Sequence, residues 1–169
     1  MDSTDEIRVA IRKSSIGLIL VAHGRKGVVA VMIGDDRNAL RSDMRIRFPL
    51  VSLVDGDSES DAIAARIIEF IESPSRALEL PLDMRGSDFQ REVWRALRAI
   101  PPGRTATYAE VARSLGRPSA VRAVAAACAA NPLAVVVPCH RVVRSDGGLA
   151  GYRWGIDRKR ALLAREATA

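Results

Sequence analysis

The chain has 169 residues, 48% hydrophobic and 27% charged, a globular composition long enough for one ordinary core or two small packed lobes. No apolar run approaches the ~20 residues of a membrane span. The acidic residues 1–6 do not resemble a secretory signal, and two cysteines (Cys128, Cys139) with two histidines (His23, His140) argue against a structural disulfide or a zinc site, so a soluble cytoplasmic protein without cofactor or metal is expected.

The net charge of +6 is unevenly spread: residues 1–84 carry 11 Lys/Arg against 14 Asp/Glu, residues 85–169 carry 15 against 6. A basic second half suits a phosphate-binding surface and equally a solvated face with no partner.

Strands and then helices are expected in the first half. Ile7, Val9 and Ile11 alternate with polar residues, and the apolar stretches 16–22 and 27–33 flank His23-Gly24-Arg25-Lys26 as a hairpin would. Asp35 or Asp36 is placed to cap a helix bearing Leu40, Met44 and Phe48, which Pro49 stops. After a polar linker at 55–58, Ile63, Ile67, Phe70 and Ile71 recur at helical spacing up to Pro74, and residues 80–83 read as a short strand. Nothing in this half carries evident chemistry.

The second half is mostly helical. Ser87 or Asp88 caps a helix with Phe89, Val93, Leu97 and Ile100 on one stripe, ended by Pro101-Pro102-Gly103. Thr107 caps a helix bearing Tyr108, Val111, Ala112 and Leu115; Gly116-Arg117-Pro118-Ser119 then turns the chain, with Pro118 suited to the first position of a helix over 119–130. Two short helices around a four-residue turn have helix-turn-helix spacing. The second of them, AVRAVAAACAA, presents almost no side chain. Either another backbone packs closely there, or the helix enters a groove too narrow for bulk; Arg122, its one charge, would then fill the space of an extruded base or simply be solvated.

The reactive candidate follows Asn131-Pro132. Residues 133–137 form an apolar run that suggests a buried strand, and Pro138-Cys139-His140-Arg141-Val142 comes next. A cysteine attacks only as thiolate, so it needs a base, and His140 is adjacent. On a regular strand neighbours face opposite ways, so cooperation requires a bend at Pro138. Glu166 on the last helix is a candidate to hold the imidazole tautomer. From spacing alone, Cys139 is a nucleophile or a small buried hydrophobe.

PCHRV at 138–142 resembles the active-site motif of the O6-alkylguanine-DNA alkyltransferases (methylated-DNA–protein-cysteine methyltransferases). LPLDMRGSDFQREVW, IPPGRTATYAEVA, GRPSAVRAVAAACAANP and GYRWG stand in the family's order and spacing. CHRVVRSDGG and, in the first half, LVAHGRKGVVAVMIGDD are similar to the C-terminal part of the bacterial adaptive-response members, so the likeness covers nearly the whole chain.

The resemblance implies an α+β protein, with an RNase H-like α/β lobe at 1–79 and a winged-helix-like catalytic and DNA-binding lobe at 80–169. It implies DNA repair by irreversible, single-turnover transfer of the methyl group of O6-methylguanine, and of O4-methylthymine, from double-stranded DNA to the protein's own cysteine, after base flipping. Cys139 matches the acceptor, His140 the residue that deprotonates it through a water, and Glu166 the residue that orients His140. Tyr108 matches the tyrosine that turns the nucleotide out and protonates the departing guanine, and Asn131 a hinge bonding backbone around the motif. Arg122 matches the arginine that replaces the flipped base; Ala120 and Ala123 match the groove-facing side of the recognition helix, with Arg117 and Ser119 in the turn before it. Cys128, Leu133, Ala134 and Val135, with Ser145, Tyr152, Arg153 and Trp154 of the following loop, are expected to line the pocket, Trp154 narrowing it where some relatives have glycine. A monomer is expected, nucleoid-associated when bound to DNA. The four-cysteine metal site of the N-terminal regulatory domain in full-length adaptive-response proteins has no counterpart, so metal-dependent phosphotriester repair and transcriptional switching are not expected.

Overall fold

The computed structural model describes residues 5–74 and 78–168. Its first half is a four-stranded sheet: β1 (Glu6–Ser14), β2 (Gly17–Gly24) and β3 (Gly27–Gly34) form an antiparallel meander, and β4 (Ser52–Asp55) returns parallel to β1, giving the order β3-β2-β1-β4. The meander follows the expected alternation and hairpin. β4 was not foreseen; it is four residues long and takes one residue of the expected linker, Asp55.

Helix α1 (Arg37–Arg47) starts where the Asp36 carboxylate accepts from Ala39 N at 2.8 Å and packs Leu40, Met44 and Phe48 with Ile7, Val9, Ile11, Leu20 and Met32 on one face of the sheet. Helix α2 (Ser58–Glu72) begins with a reciprocal cap between Asp57 and Ser60 and lays Ala64, Ile67 and Ile71 on the other face, among Ile19, Val21 and Val31. That second face continues without a break into the helical half, through Val93, Trp94, Leu97, Val124, Leu133 and Leu162. At roughly 25 cal/mol per Å² of apolar surface, this continuous core holds the two halves together.

The helical half comprises α3 (Asp88–Arg98), β5 (Ala106–Thr107), α4 (Tyr108–Ser114), α5 (Val121–Ala129), β6 (Val142–Val143) and α6 (Ile156–Ala167). Ser87 and Gln90 cap α3 reciprocally, and Thr107 accepts from Glu110 N at the start of α4. Buried Trp94 of α3 donates its indole N–H to Ala127 O of α5 at 2.9 Å, fixing the two helices face to face.

Three expectations are corrected. Helix α5 starts at Val121 behind an Ala120 cap, so Pro118 lies in the turn and not in the helix's first position. Residues 80–83 make only a single bridge, Leu82 to Val28. Residues 133–137 are not a strand: after one bridge, Leu133 to Val31, the chain coils into a turn in which Val135 adopts φ 70°. Their continuous apolarity reflects burial on all sides, not pleating.

Both of these irregular segments dock on the free edge of β3. Val28 N donates to Pro81 O and Asp83 N to Val28 O, both at 2.9 Å. Val31 N donates to Pro132 O at 2.9 Å and receives, at its carbonyl, Ala134 N at 3.0 Å. The edge strand is thereby capped, and the backbone leading to Cys139 is anchored to the sheet. Gly27 has φ +133°, and a Cβ there would stand 2.5 Å from Pro81 O, so only glycine permits this approach. Among the described residues no helix is long and apolar enough to cross a membrane.

Candidate functional site

Cys139 and His140 open a single 3₁₀ turn, Cys139–Arg141, directly after Pro138. The bend that cooperation required is therefore present: successive side chains diverge by about 120° in such a turn, against 180° on a strand. All ten residues from 131 to 140 are buried.

Asn131, fully buried, organises the turn. Its Oδ1 accepts from Leu133 N at 2.9 Å, while Nδ2 reaches Val137 O at 2.9 Å, Leu133 O at 3.4 Å and Cys139 Sγ at 3.3 Å. One amide thus ties down the loop and donates to the sulfur.

His140 Nε2 lies 2.6 Å from Glu166 Oε1. Burial raises the Glu166 pKa, but hydrogen bonds from His140 and Arg141, with the Arg141 charge, outweigh it and bring the carboxyl down to about 2. An ionised carboxylate can only accept, so Nε2 carries the hydrogen. Burial, assisted by Arg141 and Lys159, lowers the His140 pKa despite Glu166 and keeps the ring neutral. The lone pair is then on Nδ1, a buried atom without a hydrogen-bond partner among the described residues. The other such atom is the Tyr152 hydroxyl, on a ring edge-on to His140 with centroids 6.5 Å apart.

Burial pushes the Cys139 thiol up to about 11, against the opposing pull of the Asn131 amide and Lys159. Lys159 of α6 is fully buried and donates to Val142 O at 2.7 Å and Gly151 O at 3.4 Å. Sequence reasoning missed it, because Arg158-Lys159-Arg160 looks like a solvated charge run.

Cys139 opens into a cavity of ≈ 270 Å³ lined by Tyr108, Ala125, Cys128, Ala129, Gly151, Tyr152 and Arg153. Burial, with Cys128 and Cys139 nearby, raises the Tyr108 hydroxyl to about 12, so it holds its proton at neutral pH. The expected lining is partly wrong. Leu133, Ala134 and Val135 are consumed by the Asn131 turn; Ser145 stands exposed on its loop; Trp154 is buried against Tyr152, ring centroids 5.3 Å apart. The small residues Ala125, Ala129 and Gly151, not foreseen, are part of the lining.

On α5, Arg122, Ala123, Ala126 and Ala129 are exposed, a low-relief face beside the cavity, while Ala120 is half-buried. Ser119 is exposed. Arg117 is engaged by Glu92 at 3.5 Å and lies 5.4 Å from the Phe89 ring centre. No group of three or more His, Cys, Asp and Glu side chains among the described residues is placed to hold a metal.

Residues 88–168 match the family described as 6-O-methylguanine DNA methyltransferase, DNA binding domain. Methylated-DNA–protein-cysteine methyltransferase of Methanosarcina barkeri is 38% identical over 156 residues, 92% of this chain and 94% of that protein. The chain belongs to the methylated-DNA–protein-cysteine methyltransferase family. The bifunctional transcriptional activator/DNA repair enzyme Ada of Escherichia coli is 46% identical over 161 residues, covering 95% of this chain but 46% of that protein, so the chain spans about half its length. The crystal structure of the Mycobacterium tuberculosis relative in complex with DNA superposes with a TM-score of 0.79 at 34% identity, covering 96% of this chain and 93% of that one. The mixed α+β fold is thus that of the solved methyltransferases of this family.

Proposed function

We propose that this protein repairs alkylated double-stranded DNA by moving the methyl group of O6-methylguanine, once and irreversibly, to Cys139. The observation that carries this is a buried cysteine at the floor of a cavity, followed in the chain by a neutral histidine whose one unpartnered nitrogen bears a lone pair.

In the step proposed, the Cys139 S–C bond forms as the O6–C bond breaks in line. The thiol proton passes to His140 Nδ1, directly or through a water, and Glu166 stabilises the imidazolium that results. Tyr108, protonated at neutral pH, gives its proton to the departing guanine, which leaves neutral, and the phenolate recovers a proton as product is released. A thiol of pKa about 11 is mostly protonated at rest, so the adjacent base is required.

O6 lies inside the duplex stack, so the base must be displaced into the cavity. The exposed alanine face of α5 suits a minor groove only about 6 Å wide, with Arg122 entering the vacated stack and Ser119 and Arg117 following the backbone. The sheet order β3-β2-β1-β4, with β4 parallel to β1, supports an RNase H-like lobe over 1–79, and α4-turn-α5 with the β5/β6 pair supports a winged-helix-like lobe over 80–169. Reaction with O4-methylthymine, a monomeric state and a place in the cytoplasm on nucleoid DNA belong to the same reading.

Incubation with a duplex containing O6-methylguanine, followed by intact mass and peptide mapping, tests it. One added methyl per molecule, on Cys139 and with no second turnover, is expected. Unmodified protein that still binds the lesion would make this a recognition module and overturn the repair reading.

A further inference from the structure

The recognition-helix candidate α5 has no basic residue in its last turn. Another element supplies one. Arg47, the last residue of α1 in the sheet half, reaches across and donates from Nη2 to Ala130 O at 3.2 Å, the residue after the end of α5 and next to Ala129 in the cavity wall.

Its guanidinium is half-buried, packed 5.3 Å from the Phe48 ring centre. Its pKa is lowered by that burial and by the charge of Arg153, which lines the Cys139 cavity with its guanidinium 5.8 Å from the Trp154 ring centre. Neither Arg47 nor Arg153 has a carboxylate within salt-bridge distance among the described residues, although other arginines of the sheet half, such as Arg8, Arg12 and Arg41, do. Arg47, bonded to Ala130 beside the cavity wall, and Arg153, in that wall, are two guanidiniums without a carboxylate partner among the described residues, an arrangement that gains when one anion binds to both.

We propose that Arg47 and Arg153 form a phosphate site across the two halves of the chain, at the lip of the Cys139 cavity, which takes a backbone phosphodiester next to the displaced nucleotide. The site would make the sheet half a direct contributor to DNA binding. One arginine from each half would grip the strand only when the halves keep their packed arrangement. The proposal rests on the DNA-repair reading above for the identity of the anion.

Equilibrium binding of the full chain to an unmodified duplex, titrated with salt, provides the test. Arg47→Ala and Arg47→Gln are both expected to weaken binding about tenfold at low salt and to reduce the slope of log K against log salt by about 0.9. Gln keeps a donor for Ala130 O and loses only the charge. Arg66→Ala, which removes an exposed arginine that donates to Glu79 O at 2.7 Å, serves as the charge-matched control and should leave the slope unaltered.

Replacing single phosphates beside an O6-methylguanine by neutral methylphosphonates should find one position that weakens the intact protein but not Arg47→Ala. A lowered melting temperature with an unchanged salt slope would reduce Arg47 to a staple between the halves and overturn the proposal. An equal loss in Arg66→Ala, or methylphosphonate effects identical in both proteins, would overturn it as well. Failure of the intact protein to take up methyl from the lesion duplex would instead strike the repair reading and leave the phosphate measurement standing.

Discussion

Arg141 grips the Glu166 carboxylate through Nε at 2.9 Å and Nη2 at 2.8 Å, so the group that orients His140 is itself oriented. The remaining guanidinium nitrogen, Nη1, donates to Ile100 O at 2.7 Å, tying the 3₁₀ turn to the end of α3. Three buried side chains from one turn and one helix thus form a single electrostatic unit.

Glu166→Gln breaks that unit at its centre. The amide loses the charge that balances Arg141 and would stabilise a protonated His140. Leaving a buried guanidinium unpaired costs about 3–5 kcal/mol, so urea denaturation should show a loss of that order. The single-turnover methyl-transfer rate, measured below the unfolding range, should fall at least tenfold. A rate within twofold of the unsubstituted protein would remove Glu166 from the proton path.

The same carboxylate predicts how stability depends on acid. Its folded pKa, about 2, lies below its ordinary value of 4.5. A depressed acid contributes stability that is complete above the unfolded value and disappears as pH falls through the folded one. Stability should therefore decline between about pH 4.5 and pH 2, by an amount that Glu166→Gln largely abolishes. Chemical denaturation across that range checks it; parallel profiles for the two proteins would locate the acid sensitivity elsewhere.

Much of this arrangement was legible in the residues. Asp36, Ser87 and Thr107 mark helix starts because their side chains satisfy first-turn N–H groups, a local effect that leaves a local signature. The run at 133–137 was misleading because apolarity reports burial, not backbone path; the path is set by the Asn131 side chain several residues away. The pocket wall was misjudged for a related reason, since the residues nearest Cys139 in sequence are spent on its support, and Ala125, Ala129 and Gly151 arrive from elsewhere. Lys159 and Arg47 were illegible because nothing local separates an arginine or lysine that reaches a distant carbonyl from one in solvent.

Asn131→Ala removes the side-chain hydrogen bonds that tie the turn together and leaves its backbone bonds, such as Val137 N to Leu133 O at 3.0 Å, in place. Leu133 N would be left buried and unsatisfied at a cost of about 1–3 kcal/mol, Val137 O would keep only its bond from Cys139 N, and the strained Val135 backbone at φ 70° would lose one of its restraints. A destabilisation of about 1–3 kcal/mol is expected, read from denaturant midpoints at unchanged slope. At temperatures where the variant stays folded, Cys139 should also react faster with a small thiol reagent than in the intact protein, because its shielding loop is loosened. A loss below about 1 kcal/mol with unaltered thiol reactivity would show that the turn is held by its backbone hydrogen bonds and packing without the Asn131 amide.

Tyr108→Phe isolates the proton donor from the wall. The ring stays beside Cys128 and Cys139 while the hydroxyl, raised to about 12 by burial and by the two cysteines, disappears. Affinity for the lesion duplex should change by less than about twofold, because one hydroxyl contributes little to an interface whose affinity is set by phosphate contacts. The methyl-transfer rate at saturating DNA should fall by a factor of about 10² if guanine leaves as the neutral base, within the usual span for a general acid. The loss should shrink for substrates whose leaving purine is a better anion, since these need the proton less. Equal losses across such a series would assign Tyr108 to positioning and send the search for the acid to Tyr152, whose buried hydroxyl has no partner among the described residues.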